Sequence, residues 1–186
     1  MDVIKITLPI EAEVVEKLKV GTRVLFYGVV YTARDAAHKR LVQAINKGEE
    51  LPLSLEGQTL YYMGPAPARP GQVIGSAGPT TSSRMDIYTP PLLAAGLRAM
   101  IGKGSRSEEV KEAIEKHKAV YFATIGGAGA LLSKAIKKAK VIAYPELAAE
   151  AIMQLELEGF PAIVANDIYG GDLFIQGKAV YRKGGV

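Results

Sequence analysis

The stretch from Arg23 to Gly48 constrains the fold more than any other. "RVLFYGVV" is a run of β-branched and aromatic residues, short and apolar enough for a buried strand. It leads at once into "TARDAAHKRLVQAINKG", which opens on Thr32 with Asp35 three residues on, a capping-box-like start, and closes on Lys47 and Gly48. A buried strand that delivers directly into a capped helix is the unit of a helix-covered sheet, so this segment alone predicts an α/β architecture.

The rest of the chain extends that pattern. "VIKITL" alternates Ile4, Ile6 and Leu8 with Lys5 and Thr7, as a half-buried strand does, and "EVVEKLKVG" allows a short helical turn closed at Gly21. Between Glu49 and Gly78, the strand candidates "TLYYMG" and "GQVIG" are separated by "PAPARP", which no strand interior accepts. "PLLAAGLRAMIG" predicts a helix running into a short strand, and "SRSEEVKEAIEKHK" an amphipathic helix capped by Ser105 or Ser107 and ending near a structural His117. "AVYFATIGG", "AGALLSKAIKKA", "KVIAYPE" and "LAAEAIMQLEL" then read as strand, helix, strand, helix, before "FPAIVAND" and "DLFIQG" as final strands. The expectation is a single mixed α/β domain over residues 1–186, β-rich in front and alternating behind, with no internal repeat or long linker.

Composition removes several function classes. With 48% hydrophobic residues the chain can bury a core, and no apolar run approaches a membrane span. The start "MDVIKITLPIEAEV" lacks the basic-then-apolar order of a secretory leader, so a cytoplasmic location is expected. Cysteine is absent, which excludes disulfides, thiol nucleophiles and thiolate-held metals supplied by this chain. His38 and His117 lie too far apart in sequence for a metal-ligand spacing, so no metal site is expected. The net charge of +4 is modest. Its densest basic segment, "KAIKKAK", would place Lys134, Lys137 and Lys138 on one helical face without interleaved aromatics, so nucleic acid is not expected.

Two glycine-rich stretches imitate nucleotide motifs and miss. "IGGAGALL" puts Leu132 where a dinucleotide fingerprint needs a third small residue. "GLRAMIGKGSRS" has the wrong glycine spacing for a phosphate loop, and Gly104 stands where a hydroxyl is required. What remains is a set of cations in loops or helix starts: Arg34, Arg84 and Lys103. An arginine fork grips a carboxylate with two parallel hydrogen bonds and a lysine supplies a point charge, so the three together suit a small dicarboxylate. On residues alone, the simpler account is favoured: Arg34 pairs with Asp35 or another acid, Arg84 with Asp86, and Lys103 is solvated.

The motifs "RDAAH" (34–38), "GPTTSSRMD" (78–86), "GKGSRS" (102–107), "ATIGGAGALL" (123–132) and "YPELAAEAI" (144–152) occur in the order seen in one family. The chain resembles the β subunit, or C-terminal β domain, of class I fumarases and the related L-tartrate dehydratases, which are iron–sulfur hydro-lyases. Ala33 stands where that family commonly has glycine, and Ser82-Ser83 replaces a small Ala-Gly pair. The resemblance implies a swivelling β/β/α domain in a hetero-oligomer, closing over a [4Fe–4S] cluster held by a separate, cluster-bearing α subunit rather than by this chain. Carried over by motif, it makes Thr80 the candidate general base and Arg34, Arg84 and Lys103 the holders of the substrate's carboxylates. His38, Thr81, Asp86, Gly126 and Gly127 become candidates for supporting roles, with Asp86 expected to hold Arg84. The implied reaction is reversible hydration of fumarate to malate, with tartrate dehydration, or a non-catalytic anion-binding or assembly role, as the alternatives.

Overall fold

A computed structural model describes residues 3–182. The chain order is β1 (Val3–Leu8), α1 (Ala12–Val15), β2 (Arg23–Thr32), α2 (Asp35–Lys47), β3 (Thr59–Tyr61), α3 (Thr89–Ala94), β4 (Ala99–Gly102), α4 (Glu108–Lys116), β5 (Val120–Ala123), α5 (Gly129–Leu132), β6 (Ile136–Ala143), β7 (Ile152–Asn166) and α6 (Leu173–Tyr181). Single 3₁₀ segments cover Ser82–Tyr88, Ser133–Ala135 and Pro145–Glu150.

Strands β1 to β5 run parallel to one another in chain order, and β7 pairs antiparallel with β5, β6 and β2. Because β7 bonds both β2 and β5, the strands β2-β3-β4-β5-β7 close into a ring, and β1 and β6 hang from its outside. Side chains alternate across a strand, so each ring strand feeds two cores. Phe26, Tyr61, Ile101, Phe122 and Phe160 fill the interior, with Phe26 edge-on to Phe122 at 4.9 Å and Tyr61 to Phe160 at 5.1 Å. Leu60, Met100 and Tyr121 point outward, where Leu41 of α2, Leu92 of α3 and Ile114 of α4 cover them. The α/β class follows from this arrangement, a mixed sheet with α2, α3 and α4 laid on one side and the short α1 and α5 packed against the other core.

The front half matches the sequence reading closely; the rear matches at the strands "AVYFATIGG", "KVIAYPE" and "FPAIVAND" and differs elsewhere. "AGALLSKAIKKA" keeps its helix only over Gly129–Leu132, and Lys137 and Lys138 lie on β6, where Lys138 pairs with Glu156 at 2.7 Å and Lys137 with Glu158 at 3.6 Å. They share a sheet edge with an acidic strand, not a helical face. "LAAEAIMQLEL" gives a 3₁₀ turn and then β7, because Leu155 and Leu157 go into the ring while Glu156 and Glu158 pair outward. "DLFIQG" is the start of α6: the Asp172 carboxylate accepts from the amides of Phe174 and Ile175 and nucleates a helix. "GQVIG" forms no strand.

Candidate functional site

Ligand sites in parallel sheets collect beyond the carboxyl ends of the strands. Here β2, β3, β4 and β5 end side by side at Thr32, Tyr61, Gly102 and Ala123. They run respectively into Ala33-Arg34, Tyr62–Gly64, Lys103-Gly104 and Thr124–Gly127. The segment Thr80–Ser82 joins them by wedging between the ends of β3 and β4. Thr80 N donates to Tyr62 O at 2.6 Å, Ser82 N to Lys103 O at 2.8 Å, and Thr81 bridges Lys103 in parallel register. All four residues singled out by their motifs, Thr80, Arg34, Arg84 and Lys103, therefore sit on one rim.

That wedge is held from below. The buried Ser82 hydroxyl accepts from Lys103 N at 3.1 Å and from the Tyr121 hydroxyl at 2.9 Å. It packs so tightly on Gly102 that a Cβ there would clash with Ser82 Oγ, which explains glycine at the end of β4. Burial pushes the Tyr121 hydroxyl well above the usual tyrosine range, so it stays a donor. Ser82 is thus a bracket for the backbone, whereas Ser83 is exposed.

The arginines form a chain of alternating charge. Arg84 grips Asp35 with both Nε and Nη2, at 2.9 and 2.6 Å, and the same Asp35 oxygen lies 3.8 Å from Arg34 Nε. Arg34 Nη2 donates to Glu150 at 2.9 Å, while its Nε is buried without a hydrogen-bond partner. Two cations from distant motifs thus meet over one carboxylate. Lys103 differs: among the described residues it makes no ion pair, and its stem passes over Gly126, where a Cβ would stand 3.2 Å from Lys103 Cδ. Gly126 therefore clears space for the lysine. Gly127 has φ +81° with nothing near its missing Cβ, so its glycine serves the turn. The Thr80 hydroxyl, half-buried, has no hydrogen-bond partner among the described residues.

Two expectations change. Asp86 does not hold Arg84. In a 3₁₀ helix, residues two apart point in different directions, and Asp86 turns inward to Arg106 Nε at 2.7 Å and to the Ser107 amide at 2.8 Å. Arg106 is the residue that sequence reasoning missed. It is buried, donates also to the Thr89 hydroxyl at 2.7 Å, and lies over the rings of Tyr62 and Tyr121. Its signal was available: "GKGSRS" carries a second cation three residues after Lys103, facing an acid two residues after Arg84. The second change concerns helix α2, which is not capped by Thr32. That hydroxyl ties β2 to β7, accepting from Met153 N at 3.0 Å, and the cap position falls on Arg34.

His38 is fully buried inside α2, edge-on to Tyr62 at 4.9 Å, with Nδ1 2.9 Å from the Arg34 carbonyl. Burial lowers its pKa to about 4, so the neutral ring donates from Nδ1 to Arg34 O, the bond fixing the tautomer. That bond ties the ring to the start of α2, and its Nε2 is buried without a hydrogen-bond partner among the described residues. Thr81 is exposed and enters the site through its backbone bridge. The chain does not fit an iron–sulfur cluster of its own: it has no cysteine, and the described residues hold no group of three potential metal ligands.

Ring, helical cover and rim together define an α/β protein with a cationic, hydroxyl-bearing site where parallel strands end. The profile of the Fumarase C-terminus family matches residues 1–177, and the chain belongs to that family. It is 39% identical over 170 residues to the aerobic class I fumarate hydratase of Salmonella typhimurium, covering 89% of this chain and 29% of that protein. It is 42% identical over 159 residues to the anaerobic class I fumarate hydratase of Escherichia coli, covering 84% and 29%. A Methanocaldococcus jannaschii protein, provisionally named L(+)-tartrate dehydratase subunit beta, matches at 36% over 176 residues, 91% of this chain and 90% of that one. The chain thus spans under a third of the length of the fumarate hydratases and nearly all of the archaeal subunit. No helix among the described residues is long and apolar enough to cross a membrane.

Proposed function

We propose that this chain is the β component of an iron–sulfur hydro-lyase that interconverts fumarate and malate, working in the cytoplasm as a hetero-oligomer with a partner α subunit that carries the [4Fe–4S] cluster. The observation that carries the reading is the shared rim: a threonine hydroxyl with no partner among the described residues and three motif cations, gathered by β2, β3 and β4 from segments far apart in sequence.

Each residue has a task in the dehydration of malate. Arg84 and Arg34 offer the N–H groups their carboxylate partners leave free, and Lys103 offers an unpaired ammonium; together they orient a four-carbon dicarboxylate. As the proton leaves the carbon next to a carboxylate and the hydroxyl departs from its neighbour, negative charge grows on that carboxylate. Fixed cations stabilise this charge more than they stabilise the ground state. Thr80 Oγ1 exchanges the proton, and Lys103, across the backbone bridge from Thr81, is the cation that lowers the hydroxyl's proton affinity. Asp35 orients Arg84, whose side chain is otherwise half exposed to solvent.

A second reading, tartrate dehydration, is favoured by the archaeal relative, which matches this chain over nearly its whole length. The substrates differ by one hydroxyl, so a single hydrogen-bonding group could select between them. The test is anaerobic turnover of the complex with fumarate, malate and tartrate offered separately, beside Thr80→Val. Fumarate–malate interconversion by the complex, none by this chain alone, and a loss of about 100-fold or more in kcat for Thr80→Val are expected. Tartrate turnover alone selects the second reading; full activity of Thr80→Val removes the threonine from the chemistry and leaves the chain an anion-binding or assembly role.

A further inference from the structure

We infer that Glu150 is a positioning residue for this rim, acting through Arg34 and the first turn of α2; the inference rests on the reading of Arg34 as a substrate-facing cation. The cap position of a helix normally supplies a side-chain oxygen to the amides of its first turn. Position 34 holds an arginine, which has no acceptor. Glu150 fills the gap from 114 residues away: Oε2 accepts from Ala36 N at 2.7 Å while Oε1 accepts from Arg34 Nη2 at 2.9 Å. One carboxylate therefore caps the helix and holds the guanidinium that stands at its start.

The segment that carries Glu150 is shaped for this. Pro145–Glu150 crosses from β6 to β7 with Tyr144 at φ 54° and Ala148 at φ 51°, left-handed backbone that non-glycine residues seldom adopt. Arg40 of α2 pairs with Glu146 and lies 4.8 Å over the Tyr144 ring, so the segment is fastened to the same helix a turn further on. On the other side of Arg34, Gly64 leaves a slot: a Cβ there would lie 2.5 Å from Ala149 O and 2.6 Å from Arg34 Nη1. Arg34 is thus held between the exit of β3 and the Glu150 carboxylate. Since Asp35 is the next residue and grips Arg84, the position of Glu150 sets both arginines.

The test is steady-state kinetics of the complex for Glu150→Ala, Glu150→Gln, Arg34→Ala and the double variant Arg34→Ala/Glu150→Ala. Glu150→Ala should raise KM for fumarate about 10-fold with a smaller change in kcat, as loss of a charge-assisted bond does. Glu150→Gln, which keeps one acceptor oxygen of two, should fall between Ala and wild type. In the Arg34→Ala background the Glu150 change should have a smaller effect than in wild type, keeping only the part that passes through Ala36, Asp35 and Arg84. Asp172→Ala, which removes a remote helix cap, serves as the control for stability loss and should leave KM in place. Exchange of the Ala36 amide in the complex should accelerate in Glu150→Ala and not in Asp172→Ala. An unchanged Ala36 exchange rate, or a KM effect undiminished without Arg34, overturns the inference. Arg34→Ala raising KM while Glu150→Ala does nothing overturns it alone; an Arg34→Ala variant with wild-type KM overturns the substrate role of Arg34 as well.

Discussion

Two arginine–carboxylate pairs start from the one motif "GPTTSSRMD" and have opposite natures. Asp86 and Arg106 meet in the interior, with Arg106 fully buried, stacked between aromatic rings and bonded to a hydroxyl. Arg84 and Asp35 meet on the rim, bidentate but with half of the arginine side chain exposed. "GPTTSSRMD" sends Arg84 outward and Asp86 inward; "GKGSRS" sends Lys103 to the rim and Arg106 inward. The inner pair rivets the two motif turns together, which keeps the rim residues in register. The difference teaches that a motif's charges divide between holding the loops and facing solvent at the rim, and only burial tells which is which.

The contrast is broken or sharpened by substitution. Arg106→Met should have the largest effect on stability, because it leaves the largely covered Asp86 carboxylate with the Ser107 amide and no cation. The expected loss is about 3–5 kcal/mol in urea unfolding, and a neutral result would show that the inner pair does not hold the turns.

The next effect belongs to His38, beneath the rim. Its folded pKa of about 4 lies below the ordinary 6.5. Between these values the unfolded chain takes up a proton that the folded protein refuses, so stability is complete above pH 6.5 and falls as the pH drops toward and through 4. The loss should be on the order of 3 kcal/mol. His38→Gln should lack that component, and equal pH slopes for both proteins would place the imidazole in water.

A smaller effect is expected for Gly64→Ala, which pushes a methyl group against the Ala149 carbonyl and Arg34. It should cost about 1–3 kcal/mol of stability and raise KM in the complex. A crystal structure of the variant with Arg34 unmoved would show the slot to be slack.

Much of this architecture was legible in the residues. β2 and α2, the Ser107-capped α4 and the order of the motifs read directly, since long periodic segments with end signals specify themselves. The closing strands read only in their second halves, "KVIAYPE" and "FPAIVAND"; their first halves read as helix. β6 and β7 are rich in Ala, Leu, Glu and Lys, residues with helical leanings, and it is pairing with the rest of the ring that makes them strands. The alternation Leu155-Glu156-Leu157-Glu158, facing Lys137 and Lys138, was the sign to weigh more heavily. For the site, Thr80, Arg34, Arg84 and Lys103 could be named from the motifs, but their partners could not. Asp35 and Glu150 reach the arginines from 49 and 116 residues away, and no local pattern encodes such a meeting.

The most direct measurement is made on one variant, Arg84→Ala, by unfolding and by turnover of the complex together. An exposed pair contributes little to stability, so the unfolding free energy should change by less than about 1 kcal/mol. A cation that stabilises charge in the transition state contributes much to rate, so turnover should fall by about 100-fold or more. Wild-type turnover, or a stability loss as large as that of Arg106→Met, would contradict the division of labour between the rim and the interior.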